Sequence, residues 1–215
     1  MNSVLIVVFT YNRPSMLRDT LIHLSKYGHK ILVIDDGSTY DKSVVLNGLD
    51  ENIEYIRTPH RGKERWWMNW NDALRVCREK NPRLFIFMAD DFQNLDLLKA
   101  VHVYSGIKEV ATLNLINDGR VQWGCSPRQV SEDLILLGFN DCGFICNKAV
   151  LRFLKWRINP VKTNNESSGV GRQLTNRLRK LGVNMYCPVN SFAYHGDHPS
   201  VMHPELRKSE PIISK

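Results

Sequence analysis

The sequence predicts a single α/β domain with a mostly parallel central sheet flanked by helices. Three observations lead there. Apolar runs of strand length recur through the first half of the chain, they alternate with segments of helical periodicity, and three of them end in a polar cluster. Alternating β and α segments build parallel sheets through right-handed crossovers. A chain of 215 residues holds one such domain and little more.

The first run, Ser3 to Thr10, is apolar and rich in β-branched residues, as expected of a strand buried on both faces. Pro14 stands near a helix start, and Leu17, Leu21 and Leu24 follow at i, i+4 and i+7, one helical stripe. Ile31 to Ile34 is a second buried strand running into Asp35-Asp36-Gly37-Ser38. Ser43 to Leu49 reads as a short helix and Ile53 to Ile56 as a third strand. Trp66 to Lys80 forms a helix with Ala73, Leu74 and Cys77 inward, and Asn81-Pro82 stops it. Leu84 to Met88 is a fourth strand, ending in Ala89-Asp90-Asp91.

The second half is less regular. Val110 to Ile116 and Gly138 to Cys146 read as strands, Ala149 to Trp156 and Gln173 to Leu181 as helices, and Val183 to Tyr186 as a last strand. Gly182 suits the position after a helix C-terminus. Lys162 to Gly171 is a polar loop, and the tail from His195 is rich in His and Pro. No repeat, low-complexity segment or linker divides the chain.

Composition narrows the class of function. Hydrophobic residues make up 43% and charged residues 24%, enough for a real core. The longest apolar runs fall far short of the ~20 residues of a membrane-spanning helix. The N-terminus lacks the basic region of a secretory signal and Tyr11-Asn12-Arg13-Pro14 interrupts its apolar stretch too early, and the five cysteines are scattered without a CxxC pair, a poor disulfide framework and a poor zinc site. An intracellular, cytoplasmic protein is expected. The net charge of +7 points to an anionic partner such as a nucleotide, a nucleic acid or a membrane surface.

In a parallel sheet the ligand site lies beyond the carboxyl ends of the strands. Thr10 to Arg13, Asp35 to Ser38 and Asp90-Asp91 occupy three such ends. Adjacent carboxylates repel one another unless a cation lies between them, and Mg2+ or Mn2+ favours carboxylate with phosphate oxygens. A carboxylate at Asp35 or Asp36 can accept from a base N–H or a ribose hydroxyl, and Gly37 permits the turn; an Asx turn explains the same residues. Lys63 and Arg65 follow Gly62 and suit a diphosphate and its departing charge, or simply a solvated turn. His195, Asp197, His198 and His203 can complete a metal shell. Residues 148 to 180 contain nine Lys or Arg and one acid, Glu166, so Glu166 is kept ionised and is a candidate general base. The phosphate loop, the dinucleotide fingerprint and the nucleophile elbow are all missing, which argues against P-loop hydrolases, ordinary dinucleotide oxidoreductases and serine hydrolases.

Val7-Val8-Phe9-Thr10-Tyr11-Asn12-Arg13-Pro14, Val33-Ile34-Asp35-Asp36-Gly37-Ser38-Thr39 and Ala89-Asp90-Asp91 resemble, in order and spacing, the leading motifs of glycosyltransferase family 2, which has the GT-A fold. The resemblance is close over the first ~100 residues and loose afterwards. It implies a nucleotide-sugar-binding half over 1–100 and an acceptor-binding half over 101–215 of the same domain. It also implies a nucleotide site lined by Thr10, Tyr11, Arg13, Asp35 or Asp36, with Asp90 beside it and Asn71 on a helix next to the donor. Asp91, helped by His195, would hold Mn2+ or Mg2+. Cys142-Gly143-Phe144 resembles the acceptor-side glycine motif. The Glu-Asp pair usual some twenty residues later reads Glu166-Ser167 here, which leaves Glu166 first and Asp141 second as the catalytic base. The activity implied is an inverting hexosyl or pentosyl transfer from a nucleotide-diphosphate donor, a UDP-sugar above all, to an acceptor hydroxyl.

Nothing in the sequence reads the sugar or the oligomeric state. The acceptor is either a saccharide or DNA, for instance a hydroxymethylated pyrimidine; Arg172, Arg177, Arg179 and Lys180, with Trp156 nearby, suit phosphate contact. Two other readings stand beside this one: a sugar-nucleotide nucleotidyltransferase, though its usual Gly- and Arg-rich loop is missing after the first strand, and a non-catalytic nucleic-acid-binding module, supported by charge alone.

Overall fold

β-branched and aromatic residues concentrate in the segments that form the sheet. The computed structural model describes residues 3–49, 51–117, 119, 125–140, 143–163 and 168–195. The first half runs β1 (Val4–Thr10), α1 (Pro14–Ser25), β2 (Lys30–Asp35), α2 (Ser43–Leu46), β3 (Ile53–Arg57), a 3-10 turn (Lys63–Arg65), α3 (Trp66–Lys80) and β4 (Leu84–Ala89). Then come β5 (Phe92–Gln93), α4 (Leu97–Gly106), β6 (Ala111–Asn114), β7 (Arg128–Gln129), β8 (Leu134–Leu136), β9 (Phe144–Asn147), α5 (Lys148–Phe153), α6 (Val170–Lys180), β10 (Asn184–Pro188) and β11 (Tyr194–His195).

Among the described residues nine strands form one sheet in the order β3-β2-β1-β4-β9-β6-β10-β8-β7. β3, β2, β1 and β4 are mutually parallel, as the alternation of elements requires. β9 runs antiparallel between β4 and β6, so the sheet is mixed in its second half. The period-two rule explains why β1 is apolar at every position. Val4, Ile6 and Val8 face a core with α1 and α4, while Leu5, Val7 and Phe9 face a second core with α3, α5 and α6.

The second half departs from the sequence expectation in several places, β7 and β8 among them. α4 was not anticipated, although Leu97, Ala100, Val103 and Tyr104 are its buried stripe and Asp96 caps it by accepting from Lys99 N at 3.0 Å. The strand expected over 138–146 begins only at Phe144, after a turn at Gly138 with φ +79°. The helix expected to reach Trp156 stops at Phe153, because Lys155 and Trp156 take φ of +54° and +53°. The helix expected from Gln173 starts earlier, at Val170, on a left-handed Gly169.

Candidate active site

Connections leave β1 in both directions: to β2 and β3 on one side, with β4 on the other. The crevice above the carboxyl ends of β1 and β4 is therefore the topological switch point of the parallel part, where α/β sheets bind ligands. Backbone bonds from Asp36 N to Thr10 O and from Asp90 N to Phe9 O, each 3.0 Å, carry the ladder one step past the strands. They bring the three polar clusters side by side.

At the β1–β4 junction Thr10 Oγ1 donates to Asp90 Oδ2 at 2.6 Å. Arg13 lies across both carboxylates, 2.7 Å from Asp90 Oδ1 and 3.1 Å from Asp91 Oδ2. Asp90 is fully buried. Burial pushes its carboxyl up to about 7, against Arg13 and Thr10, which favour the charged form. A cation does stand between the paired carboxylates, and in this arrangement it is a guanidinium. Both carboxylates are buried, Asp90 bonded to Thr10 and Arg13 and Asp91 to Arg13. This donor set fits a divalent ion held by Asp91 together with diphosphate oxygens, once Arg13 turns from Asp91. Among the described residues no group of three or more His, Cys, Asp or Glu could hold a metal unaided. β11 pairs with β5 in the register His195 to Phe92, so the backbone of His195 lies opposite the residue that follows Asp91.

Asp35 and Asp36 are both buried and both saturated. Asp35 accepts from Ser38 N and Oγ through one oxygen, and from Tyr55 OH at 2.5 Å and Arg57 Nε at 2.7 Å through the other. Asp36 accepts from Arg61 N at 2.9 Å, Gly62 N at 2.9 Å and Asn69 Nδ2 at 2.7 Å, with His60 Nδ1 at 3.2 Å. The sequence offered these residues as contacts for base or ribose. In this structure they fold the 58–62 loop over the end of β2. That loop sets His60 flat against Tyr11, ring centroids 4.4 Å apart and 17° from parallel. The pair is a flat stacking surface just past the end of β1.

The remaining sequence candidates distribute unevenly. Lys63 and Arg65 form the 3-10 turn that leads from this loop into α3. Asn71 instead spends its amide on the backbone of Ile158, donating to its carbonyl at 2.9 Å and accepting from its N–H at 2.8 Å. The helix amide that reaches the Asp36 cluster is Asn69, which also accepts from Thr58 Oγ1 and Arg61. Its signal was legible: Asn69 is a polar residue on the buried face shared with Ala73, Val76 and Cys77. Glu166, Asp141, Asp197, His198 and His203 lie outside the described residues. Of the four α6 cations, Arg177 donates to the carbonyls of Leu154 and Arg157 and Arg179 to that of Gly138. Those two guanidinium groups are occupied in holding the fold.

A cavity of about 520 Å³ opens beside Arg13, lined also by Met16, Asp19, Phe92 and Asn94. Its lining comes from Arg13, from α1 and from the residues that follow Asp91. Gly143 packs against one of them, Phe92, because a Cβ there would come within 2.2 Å of the Phe92 ring. Phe92 follows Asp91 directly, so Gly143→Ala is expected to displace both. A stability loss of about 1–3 kcal/mol is expected, read by urea denaturation.

The comparisons with known proteins agree with this geometry. Residues 5–105 match the model of glycosyl transferase family 2, so the segment from β1 to α4 carries that family's sequence. No curated protein matches the chain. Among solved structures, glucosyl-3-phosphoglycerate synthase from Mycobacterium tuberculosis in complex with Mn2+ and uridine-diphosphate-glucose is similar. It shares 12% identity over 92% of this chain and 72% of its own, with a TM-score of 0.59. The same enzyme in complex with phosphoglyceric acid gives 14% identity over 92% and 73%, with a TM-score of 0.56. S. aureus TarS 1-349 in complex with UDP-GlcNAc shares 16% identity over 99% of this chain and 61% of its own, with a TM-score of 0.63. At these identities the likeness is one of fold: the chain has the GT-A glycosyltransferase fold and spans about three-fifths of the TarS fragment.

Proposed function

We propose that this glycosyl transferase family 2 chain moves a sugar from a UDP-sugar to an acceptor hydroxyl, with inversion and with the help of a divalent metal. The observation that carries the reading is the meeting of Thr10, Arg13, Asp36, Asp90 and Asp91 at the switch point of the sheet. The bound UDP-glucose, UDP-GlcNAc and Mn2+ of the similar structures support the donor and the metal. Tyr11 and His60 offer the nucleobase a flat surface. In this reading Arg13, Lys63 and Arg65 supply the positive charge that stabilises the leaving nucleoside diphosphate. A metal held by Asp91 would add Lewis-acid charge at that same leaving group. The acceptor oxygen forms its bond to the anomeric carbon as the bond from that carbon to the diphosphate breaks. Its proton passes to a carboxylate, Glu166 in our first assignment and Asp141 in our second. The acceptor is a saccharide or a hydroxymethylated pyrimidine in DNA.

A cytoplasmic setting belongs to the same proposal. It is supported by the free thiols Cys77, Cys125, Cys146 and Cys187. No helix among the described residues is long and apolar enough to cross a membrane.

Calorimetric titration of UDP with and without Mn2+ tests the donor site. Manganese-dependent binding that is lost in Asp91→Asn is the expected result. Absence of binding to UDP, GDP and the other nucleoside diphosphates, with and without metal, would remove the transferase reading.

A further inference from the structure

The segment from α5 through α6 leaves several cations in solvent. The segment after α5 is fastened along α6. Arg177 donates to the carbonyls of Leu154 and Arg157, and Gln173 and Asn159 exchange bonds at 2.8 and 2.9 Å. Asn71 of α3 clamps Ile158 from the other side. Between the fastened segment and α6 lies a shallow groove of about 230 Å³, lined by Val161, Gly169, Arg172, Gln173, Asn176 and Lys180 as well as Arg177. Arg172, Asn176 and Lys180 recur every four residues, so one stripe of α6 forms its wall.

Six cations of this segment are exposed: Arg152, Lys155, Arg157, Lys162, Arg172 and Lys180. None of them is in an ion pair with a described carboxylate. Phe153, at the end of α5, has 44% of its surface in solvent. Lys155 and Trp156 hold left-handed backbone angles, a conformation that costs bulky side chains about 1–2 kcal/mol each. The turn is kept all the same, with Trp156 N bonded to Leu151 O at 2.9 Å and the indole edge-on to Phe85.

We propose that this face docks the phosphodiester backbone of a single DNA strand, which makes the anionic acceptor of the proposed transfer a nucleic acid. Exposed cations at a groove, here Arg172 and Lys180, suit a phosphate backbone, side-chain amides such as Gln173 and Asn176 suit its sugar and phosphate oxygens, and an exposed Phe gives a base a stacking partner. α6, with 11 residues, is about 16 Å long, enough for about four to five nucleotides at ~3.4 Å each. A membrane surface is the poorer fit. The face offers two exposed large apolar side chains, Phe153 and Leu181, where surface-bound helices bury a whole apolar side.

The acceptor role rests on the transferase reading, whereas the docking itself is tested independently of it. Fluorescence anisotropy of a labelled oligodeoxynucleotide of about 15 nucleotides is measured at about 50 and 200 mM salt. Wild type is compared with Arg172→Glu/Lys180→Glu and with Phe153→Ala, all solvent-exposed changes. Binding that weakens steeply with salt is expected. The charge-reversal pair should weaken it 10-fold or more and lower the salt slope by about two. Phe153→Ala should weaken it about 5-fold or more. UDP affinity should be unchanged in all three proteins, so a failure of the donor site and a failure of this face are separately visible. No binding at low salt, or binding indifferent to the charge reversal, overturns the proposal. Preferential capture of phosphatidylserine vesicles by the same face does so as well, and assigns it to a membrane.

Discussion

Asp36→Ala is expected to abolish UDP binding and to lower the free energy of unfolding by about 3–5 kcal/mol. Asp36 is 2% exposed, and its carboxylate accepts from two backbone N–H groups of the 58–62 loop and from Asn69. Removing it leaves those donors facing an apolar gap, and each unsatisfied buried donor costs about 1–3 kcal/mol, less where the loop can relax toward water. Relaxation carries its own consequence, because the loop is what places His60 against Tyr11. Gly37→Ala should reproduce the loss from the other side: its Cβ would lie 2.5 Å from His60 N, at a φ of +79°. Asp36→Asn keeps the shape but turns an NH2 toward other donors, so an intermediate loss is expected. Urea denaturation and UDP titration on the three variants check the series. A stable Asp36→Ala protein with ordinary UDP affinity would mean that the loop is held elsewhere and that the Tyr11–His60 surface does not serve the donor.

The legibility of this molecule follows the range of the forces involved. β1 to β4 and the helices between them were readable because the buried strands β1, β2 and β4 are almost wholly apolar and each ends at a charged cluster. The switch point follows from that order alone. The second half was not readable to the same degree. β9 runs antiparallel between β4 and β6, and a four-residue strand carries too little pattern to announce its direction. α5 ends early on left-handed Lys155 and Trp156, residues whose preferences gave no warning; tertiary contacts with Phe85 and Arg177 hold that turn. Within the site, Asp90-Asp91 and Asp35-Asp36 were visible as clusters, but their partners were not. Arg13 reaches across 77 and 78 positions, as the separation from Asp90 and Asp91 shows, and such pairings have no local sequence signal. Asn69 had one, a polar residue on a buried helical face, and Asn71 drew attention away from it.

Asp91→Asn is expected to lower transfer by about a thousandfold or more while leaving the fold intact. The two effects separate because Arg13 keeps its 2.7 Å contact with Asp90 when Asp91 loses its charge, and the repulsion between the carboxylates is relieved. Arg13→Ala should show the opposite balance. It strips the buried Asp90 of its cation, and stability falls by an amount that depends on pH. Asp90 is already raised from the ordinary value of 3.8 to about 7 by burial, and losing Arg13 raises it further. A carboxyl raised in the folded state contributes its stability below the unfolded value near 4 and loses it as pH rises through the folded value. The penalty of Arg13→Ala should therefore be small at about pH 5 and largest at about pH 8, as protonation of Asp90 replaces the missing cation at the lower pH. Thermal melts across that range, run beside initial rates with and without Mn2+, read both variants. Should Asp91→Asn transfer sugar at the wild-type rate, the departing diphosphate would be stabilised by Arg13, Lys63 and Arg65 without a metal. The guanidinium that bridges the two carboxylates would then be the working cation of the site.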